Sequence, residues 1–189
     1  MTFVRGLRAR FIIAAAITLA GPAGAQGGFK LTSKEVPANS TIANAQVFNG
    51  FGCSGQNISP SLSWRGAPAG TKSYALTMYD PDAPTGSGWW HWVVYNIPAS
   101  AKGIPAGAGD PRKPGMPAGA VQGNTDFGVP GYGGPCPPPG DKPHRYVFTL
   151  YALKVDKLDI PAGATAAMVG FNIHANTLGS ATFTATYGR

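Results

Sequence analysis

The sequence predicts a mainly β, antiparallel protein with a helical appendage. Segments that alternate between apolar and polar residues, or that are rich in β-branched and aromatic residues, recur along the chain. Turn residues separate these segments, and the 189 residues include 27 glycines and 18 prolines. Only one segment, late in the chain, has helical spacing. Many strands followed by a single helix favour an antiparallel β architecture.

Six segments carry the strand pattern. The segment 73–79 is the clearest case of alternation, with Tyr74, Leu76 and Met78 on one face. The six predicted strands span residues 29–32, 62–64, 73–79, 91–97, 145–153 and 183–187.

The predicted helix covers residues 164–178. It places Met168, Phe171 and Leu178 on one face, and Gly179 follows as a stop signal. Two Gly/Pro-rich connections, 99–119 and 123–143, have no periodicity. Loops of that length are uncommon in compact domains unless they are functional. No internal repeat or domain boundary interrupts the chain.

Residues 1–25 have the features of a secretory signal peptide. Three arginines precede the apolar run 11–20, which is too short to span a bilayer, and Ala23-Gly24-Ala25 forms a cleavage site before Gln26. We therefore expect a single mature domain, 26–189, that is exported to the periplasm or secreted. No later apolar stretch is long enough to span a membrane.

The charge distribution argues against a nucleic-acid partner. The whole chain has a formal charge of +7, and loss of the three signal-peptide arginines leaves +4. The remaining basic residues are scattered, and Arg112-Lys113 is their only adjacent pair. A nucleic-acid-binding surface would instead show clustered Lys and Arg with interleaved aromatic residues.

Two cysteines, Cys53 and Cys136, remain in the mature region. Export permits oxidation, so the sequence favours a disulfide between them. The alternative is two separate buried thiols.

A proline-stiffened turn carries two carboxylates, Asp80 and Asp82, just before a tryptophan-rich strand that contains His91. Prolines at positions 81 and 84 make this turn rigid. One interpretation is a preformed site, and the other is a well-made turn in which Asp side chains cap backbone amides.

Two of the three histidines begin predicted strands. His91 follows the Asp turn, and His144 follows the Gly/Pro-rich run 131–140. If their strands are neighbours, both imidazoles lie at one end of the sheet with Asp80 nearby. Imidazoles and exposed backbone amides can donate to an anion, and Asp80 can fix or charge one ring. His174 lies on the predicted helix, where we expect it either to face the core or to contact the residues that line the site.

The sequence lacks the motifs of metal sites, serine hydrolases and phosphate-binding loops. The chain lacks the CxxC, HxH and HExxH spacings of metal sites, the GxSxG of serine hydrolases and the Gly-Lys-Ser/Thr of a phosphate loop. Asp80 and Asp82 lie in a turn, which is a poor cleft for a sugar substrate. No cofactor or metal is therefore expected, and no residue stands out as a catalytic nucleophile.

Three ordered motifs resemble the phosphatidylethanolamine-binding protein family, in particular its bacterial Raf-kinase-inhibitor-like branch. The resemblance covers essentially the whole predicted mature chain. The motifs are 53–60 before Leu62 and Trp64, 80–84 leading to His91-Trp92, and 134–138 leading to His144-Arg145-Tyr146.

The resemblance implies an antiparallel, Greek-key-like β-sandwich with a few peripheral helices and a small surface pocket for anions. It implies that the two histidines donate to the anion, that Gly134 offers a backbone amide and that Asp82 braces the turn. Carried over by motif, the ligand-binding residues are Asp80, Asp82, His91, Gly134, Pro135, His144 and Tyr146.

The sequence thus predicts a non-enzymatic, exported protein that binds a small anion or phosphorylated head group, such as phosphate or phosphorylethanolamine. The alternative is a protein–protein modulator, such as a protease or signalling inhibitor, that acts through its Pro/Gly-rich loops. Exposed sheet edges also leave room for pairing with a second copy of the chain.

Overall fold

The computed structural model describes Met1 and residues 28–189, so the predicted cleavage site and nearly all of the predicted signal peptide lie outside the described residues. This part of the chain forms ten strands and one helix, and the mainly β, antiparallel prediction is confirmed. The elements are β1 (Lys30–Thr32), β2 (Asn49–Gly50), β3 (Cys53–Ser54), β4 (Leu62–Arg65), β5 (Ser73–Asp80), β6 (Trp89–Pro98), β7 (Gly103–Ile104), β8 (Val121–Gln122), β9 (His144–Leu153), α1 (Ala166–Asn176) and β10 (Thr177–Tyr187).

Two antiparallel sheets enclose the main core. The larger has the strand order β10-β9-β5-β6-β8, the smaller has the order β1-β4-β7, and β2 and β3 form a separate hairpin. Leu31 and Leu62 from the small sheet join Leu76, Trp92 and Phe148 from the large sheet in one buried cluster. The fold is therefore a sandwich, because each sheet buries one face against the other.

The predicted strands match the long elements well. β5, β6 and β9 begin and end within two residues of the predicted limits, whereas β10 begins at Thr177, six residues before the predicted start. The strands β2, β3, β7 and β8 have two residues each and were not predicted, because alternation cannot be recognised over so short a length.

The predicted buried face of the helix is wrong. Met168, Phe171 and Leu178 are 48%, 75% and 43% exposed. The face that packs on the sheet is instead made of Ala166, Val169, Gly170 and Ile173. Val169 and Ile173 fill this face and are fully buried, and Gly170 lies beside the Trp90 ring, where a Cβ would be in ordinary contact at 3.9 Å.

The expected core position of His174 and the expected helix stop at Gly179 are also wrong. His174 is exposed, and its ring lies edge-on against Tyr151 at a centroid distance of 5.4 Å. The helix ends at Asn176 because Thr177 has extended backbone angles and starts β10. Gly179 lies within β10, next to a register shift in its pairing with β9.

A β-bulge at His91 is the feature of the fold that shapes the site. Trp92 pairs with Met78 and Trp90 pairs with Tyr79, so His91 between them has no partner on β5. A bulge places two residues opposite one and re-aims the side chains around it. Trp92 belongs to the sandwich core, whereas Trp90 packs on the helix side.

Candidate functional site

Four polar side chains gather at one end of the five-stranded sheet. Asp80 is the last residue of β5, and His144 and Tyr146 are the first and third residues of β9, so alternation puts the latter two on one face. His91 joins them from the bulge on β6. The two histidine-bearing strands are not neighbours, since β5 lies between them. Both pair with β5, which brings them to the same end.

A cavity of about 220 Å³ opens above these four side chains. Its other walls are aromatic rings and prolines, supplied by turns and loops and by the first residue of β6. The rim consists of Phe51, Pro84, Trp89, Phe127, Pro137 and Pro138. Phe51 and Phe127 were not predicted as site residues, because loop residues of this kind have no periodic pattern that marks them.

Asp80 uses both carboxylate oxygens. Its Oδ1 accepts hydrogen bonds from the backbone N–H groups of Asp82 and Ala83 at 2.8 and 3.1 Å. Its Oδ2 lies 2.8 Å from His144 Nδ1. The Asp80 side chain therefore caps backbone amides of the turn, as one interpretation of the motif predicted. The same side chain also contacts His144.

His144 lies between two carboxylates. Its side chain is only 5% exposed, with Nδ1 on Asp80 and Nε2 3.3 Å from Asp141 Oδ2. Burial lowers the pKa of His144, but the hydrogen bonds and charges of Asp80 and Asp141 outweigh burial and raise it above its usual value. The ring is thus favoured as an imidazolium that donates from both nitrogens. Asp141 was not predicted as a site residue.

His91 differs from His144 in its protonation state. Its Nδ1 donates to the carbonyl oxygen of Gly133 at 2.7 Å. The ring meets Tyr146 and Phe127 edge-on at 5.1 and 5.4 Å. Burial lowers the pKa of His91 to about 4, so the ring is neutral at pH 7. Donation from His91 to an anion, as the resemblance implies, does not fit this state, because the neutral ring has already used its one N–H.

The hydroxyl of Tyr146 is buried without a hydrogen-bond partner among the described residues. Its ring lines the cavity. Burial raises the pKa of Tyr146 well above the usual value, so the hydroxyl keeps its proton. A buried unpaired hydroxyl is costly, which makes this group available to whatever fills the cavity.

Asp82 lies outside the lining of the cavity. Its carboxylate forms a bidentate pair with Arg145, with Oδ2–Nε and Oδ1–Nη2 distances of 2.9 and 2.6 Å, and Oδ2 also accepts from the Arg145 backbone N–H at 2.8 Å. These hydrogen bonds lower the pKa of Asp82 to about 2. In this structure Asp82 ties the turn after β5 to the start of β9.

Gly134 and Pro135 also lie outside the cavity lining. The Gly134 N–H, expected to face an anion, donates to Asn57 Oδ1 at 2.7 Å. A Cβ at position 134 would collide with the backbone of Gln46 and Val47, so close packing explains this glycine. Asn57 thereby holds the loop whose Gly133 carbonyl orients His91.

The predicted disulfide between Cys53 and Cys136 is confirmed, with Cα atoms 6.0 Å apart. It joins β3 to the loop that supplies the proline wall, and Cys136 itself lines the cavity. The rim of the cavity is therefore covalently attached to the β2–β3 hairpin.

Acidification should destabilise the protein through His91. The unfolded chain titrates near pH 6.5, whereas the folded pKa is about 4. The stabilisation is therefore present above pH 6.5 and is lost as the pH falls to 4, at a cost of about 3 kcal/mol.

Urea unfolding of the wild type and His91→Gln at pH 7 and pH 4 tests this expectation. The gap in unfolding free energy between them should narrow by about 3 kcal/mol at pH 4. The comparison separates His91 from His144, whose raised pKa acts in the opposite sense. His174→Gln, at an exposed histidine, should follow the wild type, and a constant gap for His91→Gln would contradict the assignment.

In the described part of the chain, no group of three or more His, Cys, Asp or Glu side chains is arranged to hold a metal ion. Within the same residues, no helix has the length and apolar character needed to cross a membrane.

The chain is similar to several bacterial proteins. The family model described as phosphatidylethanolamine-binding protein matches residues 32–188. YbcL of Escherichia coli is 51% identical over 159 residues, covering 84% of this chain and 87% of YbcL. YbhB of the same organism is 51% identical over 158 residues, covering 84% and 99%. LppC of Mycobacterium tuberculosis, named as a lipoprotein, is 37% identical over 153 residues, covering 78% and 71%.

The fold matches as well. The crystal structure of Escherichia coli YbcL, described as a new member of the mammalian PEBP family, superposes with a TM-score of 0.83 at 50% sequence identity. The superposition covers 85% of this chain and 98% of the YbcL chain.

Proposed function

Because the chain belongs to the phosphatidylethanolamine-binding protein family, we propose that it is an exported, non-enzymatic binding protein whose cavity captures a small phosphorylated anion. The observation that carries the proposal is the set of buried polar groups beneath the cavity. The His144 imidazolium supplies positive charge, and the unpaired Tyr146 hydroxyl supplies a donor. Charge-assisted hydrogen bonds in a water-poor site are the strong ones.

The size of the cavity suits a compact ligand. Its volume of about 220 Å³ equals about seven water molecules in the liquid. A phosphate group with a short substituent fits this space. The aromatic and proline rim would cover that substituent and exclude water from the hydrogen bonds below.

Asp141 acts as an internal competitor for the anion. Its carboxylate takes the Nε2–H of His144 at 3.3 Å, and its side chain is 42% exposed. An incoming phosphate oxygen accepts the same proton once this carboxylate turns to solvent. The exposure of Asp141 makes that exchange inexpensive.

Binding without catalysis is supported by the hydroxyls at the site. Thr85 is the one serine or threonine among the described residues that line the cavity. Its Oγ1 donates to the Gly88 carbonyl at 2.5 Å, and no base contacts it. The Tyr146 hydroxyl has no base beside it either, so neither is activated as a nucleophile.

Titration calorimetry with phosphorylethanolamine tests the proposal. We expect saturable binding by the wild type, a loss of at least about tenfold in affinity for His144→Ala, and a gain of about three- to tenfold for Asp141→Asn, which removes the competing charge. His174→Ala, at an exposed histidine away from the cavity, should bind like the wild type.

Two results would reject this function. One is the absence of saturable heat with the wild-type protein. The other is unchanged affinity in a His144→Ala variant whose far-ultraviolet circular dichroism and melting curve show that it is folded.

Export is the second part of the proposal. The predicted signal peptide supports it, and the disulfide suits an oxidising compartment. The Gly/Pro-rich loop 123–143 supplies Phe127, Pro137 and Pro138 to the cavity wall, so we assign this loop to enclosing the ligand rather than to docking a protein.

A further inference from the structure

The end of the sandwich opposite the cavity collects basic side chains that are scattered along the sequence. β4 ends at Arg65, β5 begins just after Lys72, and β9 ends just before Lys154. Asp80 and His144, beneath the cavity, lie at the other ends of β5 and β9. We call the end away from the cavity the basic end, and its six basic residues are Lys30, Arg65, Lys72, Lys102, Lys154 and Lys157.

Three of these residues come from the small sheet and from the segment between β6 and β7. Lys30 of β1 and Arg65 of β4 are register partners. The carbonyl oxygen of Lys102 accepts from the N–H of Trp64, next to Arg65, at 3.0 Å. The Trp64 ring packs edge-on against Tyr74, the second residue of β5, at 5.5 Å. This contact places the three basic residues beside the start of β5.

The other three basic residues flank the large sheet. The N–H of Lys72 donates to the carbonyl oxygen of Leu153, the last residue of β9, at 2.9 Å. Lys154 and Lys157 lie in the segment that follows β9. All six basic residues of this end are exposed. The fold thus gathers at one end charges that the sequence keeps apart.

The basic end carries the whole net charge of the chain from residue 28 onward. Two acidic residues, Asp156 and Asp159, accompany the six basic ones, which leaves a charge of +4. The rest of this part of the chain has six basic and six acidic residues, and their charges cancel. The protein is therefore strongly asymmetric in charge along the direction of its strands.

Most of the positive charge at this end has no counterion within the described chain. One ion pair there joins Lys72 Nζ to Asp156 Oδ2 at 3.9 Å, and both side chains are mostly exposed. Lys30 and Arg65 lie directly opposite each other across the sheet, where like charges are destabilising. Residues 2–27 contain no aspartate or glutamate that could neutralise them. A negatively charged partner would therefore relieve repulsion as well as add attraction.

The residue types at the basic end favour an anionic surface over a protein or a nucleic acid. Five of the six are lysines, and lysine is depleted from specific protein interfaces, where arginine and aromatic residues are enriched. Single-stranded nucleic acids stack on free aromatic rings, but the rings here, Phe29, Trp64 and Tyr74, pack on one another. Separate ammonium groups act as point charges, which suits a surface of many distributed phosphate groups.

We propose that the basic end docks electrostatically on the anionic surface of a phospholipid membrane. β9 has ten residues and spans about 30 Å between this end and the cavity. That distance is several times the screening length of about 8 Å at physiological salt. Docking at this end therefore does not involve the cavity, and the inference stands apart from the proposed function.

Cosedimentation with lipid vesicles tests the proposal. One set contains phosphatidylcholine with about 30% anionic phosphatidylglycerol, and the neutral set contains phosphatidylcholine alone. We expect the protein to bind the anionic vesicles at least about tenfold more tightly than the neutral ones at low salt. The affinity should fall steeply between about 50 and 300 mM salt, because the screening length shortens. The neutral vesicles also report any binding through the apolar run 11–20.

Two double variants locate the docking surface. Lys30→Gln with Arg65→Gln removes two charges from the basic end and should weaken binding to the anionic vesicles by about twenty- to thirtyfold. This change relieves a like-charge contact between exposed side chains, so it should not impair folding. Arg112→Gln with Lys113→Gln removes the same charge from side chains that are 86% and 70% exposed outside the basic end. The affinity of this control should change by less than about threefold.

A competition experiment separates the basic end from the cavity. Excess phosphorylethanolamine should leave the protein on the anionic vesicles, because the proposed ligand site lies at the opposite end. Displacement by phosphorylethanolamine would place the membrane contact at the cavity and overturn the inference. The proposed function is tested by calorimetry without vesicles, so either proposal can fail alone.

Three other results would overturn the docking surface. Equal losses in the two double variants would show a response to net charge rather than to this end. Equal binding to neutral and anionic vesicles would exclude an electrostatic contact. Absence of binding to the anionic vesicles at low salt, with retention on immobilised polyglutamate, would assign the basic end to an acidic protein instead.

Discussion

Asp80→Ala should lower the free energy of unfolding by about 3–5 kcal/mol at pH 6. The substitution removes the carboxylate that lies 2.8 Å from His144 Nδ1, where both side chains are at most 5% exposed. It also leaves the backbone N–H groups of Asp82 and Ala83 without their acceptor. A buried imidazolium that loses its partner must deprotonate or draw water into the core, and either response is costly.

The pH dependence of this loss has a definite sign. The pKa of His144 is raised in the folded state, so its stabilisation is fully present below the unfolded pKa near 6.5 and disappears as the pH rises through the folded pKa. The difference between wild type and Asp80→Ala should therefore be largest at pH 6 and smaller at pH 9.

Urea unfolding at the two pH values measures both effects. Asp156→Ala is the matched control, because this aspartate faces Lys72 at 3.9 Å with 82% of its side chain exposed. Such a surface pair contributes less than about 1 kcal/mol. A loss at Asp80 no larger than the loss at Asp156 would show that the buried pair is not a stabilising element.

Removal of the disulfide is the second large effect. Cys53 and Cys136 are 83 residues apart in sequence, and the chain-entropy relation for a loop of this length gives about 4.5 kcal/mol. We expect the double variant Cys53→Ala, Cys136→Ala to lose stability of that order. The affinity for phosphorylethanolamine should fall as well, since Cys136 and its proline neighbours form a cavity wall.

Chemical reduction provides the control for this experiment. Dithiothreitol should lower the urea midpoint of the wild type toward that of the double variant, and it should leave the double variant unchanged. Thiol titration of the unfolded, unreduced wild type should find no free cysteine. Two free thiols, or equal midpoints for wild type and double variant, would contradict the stabilising role of the disulfide.

Alternation was enough to place part of the site. His144 and Tyr146 are two residues apart at the start of a long strand, so they must share a face. Asp80 ends a strand with the same alternating pattern, and its two neighbouring prolines mark the turn that follows. The positions of Asp80 and His144 follow from local rules that tertiary packing did not override, whereas Tyr146 was assigned by the resemblance.

The orientation and protonation state of His91 could not be predicted from alternation. A bulge breaks alternation at this residue, and nothing in the local pattern distinguishes a bulged histidine from a regular one. Its neutral form depends on burial, and the nitrogen that keeps the proton is set by the Gly133 carbonyl, which comes from a loop 42 residues away. The resemblance supplied the residue, but the donor role that it implied does not fit the hydrogen bond that His91 makes.

The predictions for loop residues and for the helix failed for other physical reasons. Asp141 and Phe127 reach the site through irregular backbone, where no spacing rule applies. On α1 the large apolar residues Met168 and Phe171 suggested a buried face, but the sheet accepts the face with Gly170. The β-branched residues Val169 and Ile173 fill that face, and the larger Met168 and Phe171 stay exposed.

In the function that we propose, the contact between Asp141 and His144 would make ligand capture an exchange reaction rather than an addition. An anion that accepts the hydrogen bond from His144 Nε2–H would replace the Asp141 carboxylate, which would then be solvated. The number of negative groups around the imidazolium would therefore stay the same when a monoanion binds. The protein can thus keep a charged ring buried when no ligand is present, without unfolding the site or trapping a foreign ion. Asp141 is the counterion of His144 in the unliganded protein. The strength of this ion pair sets the minimum affinity that an anion needs in order to displace the carboxylate.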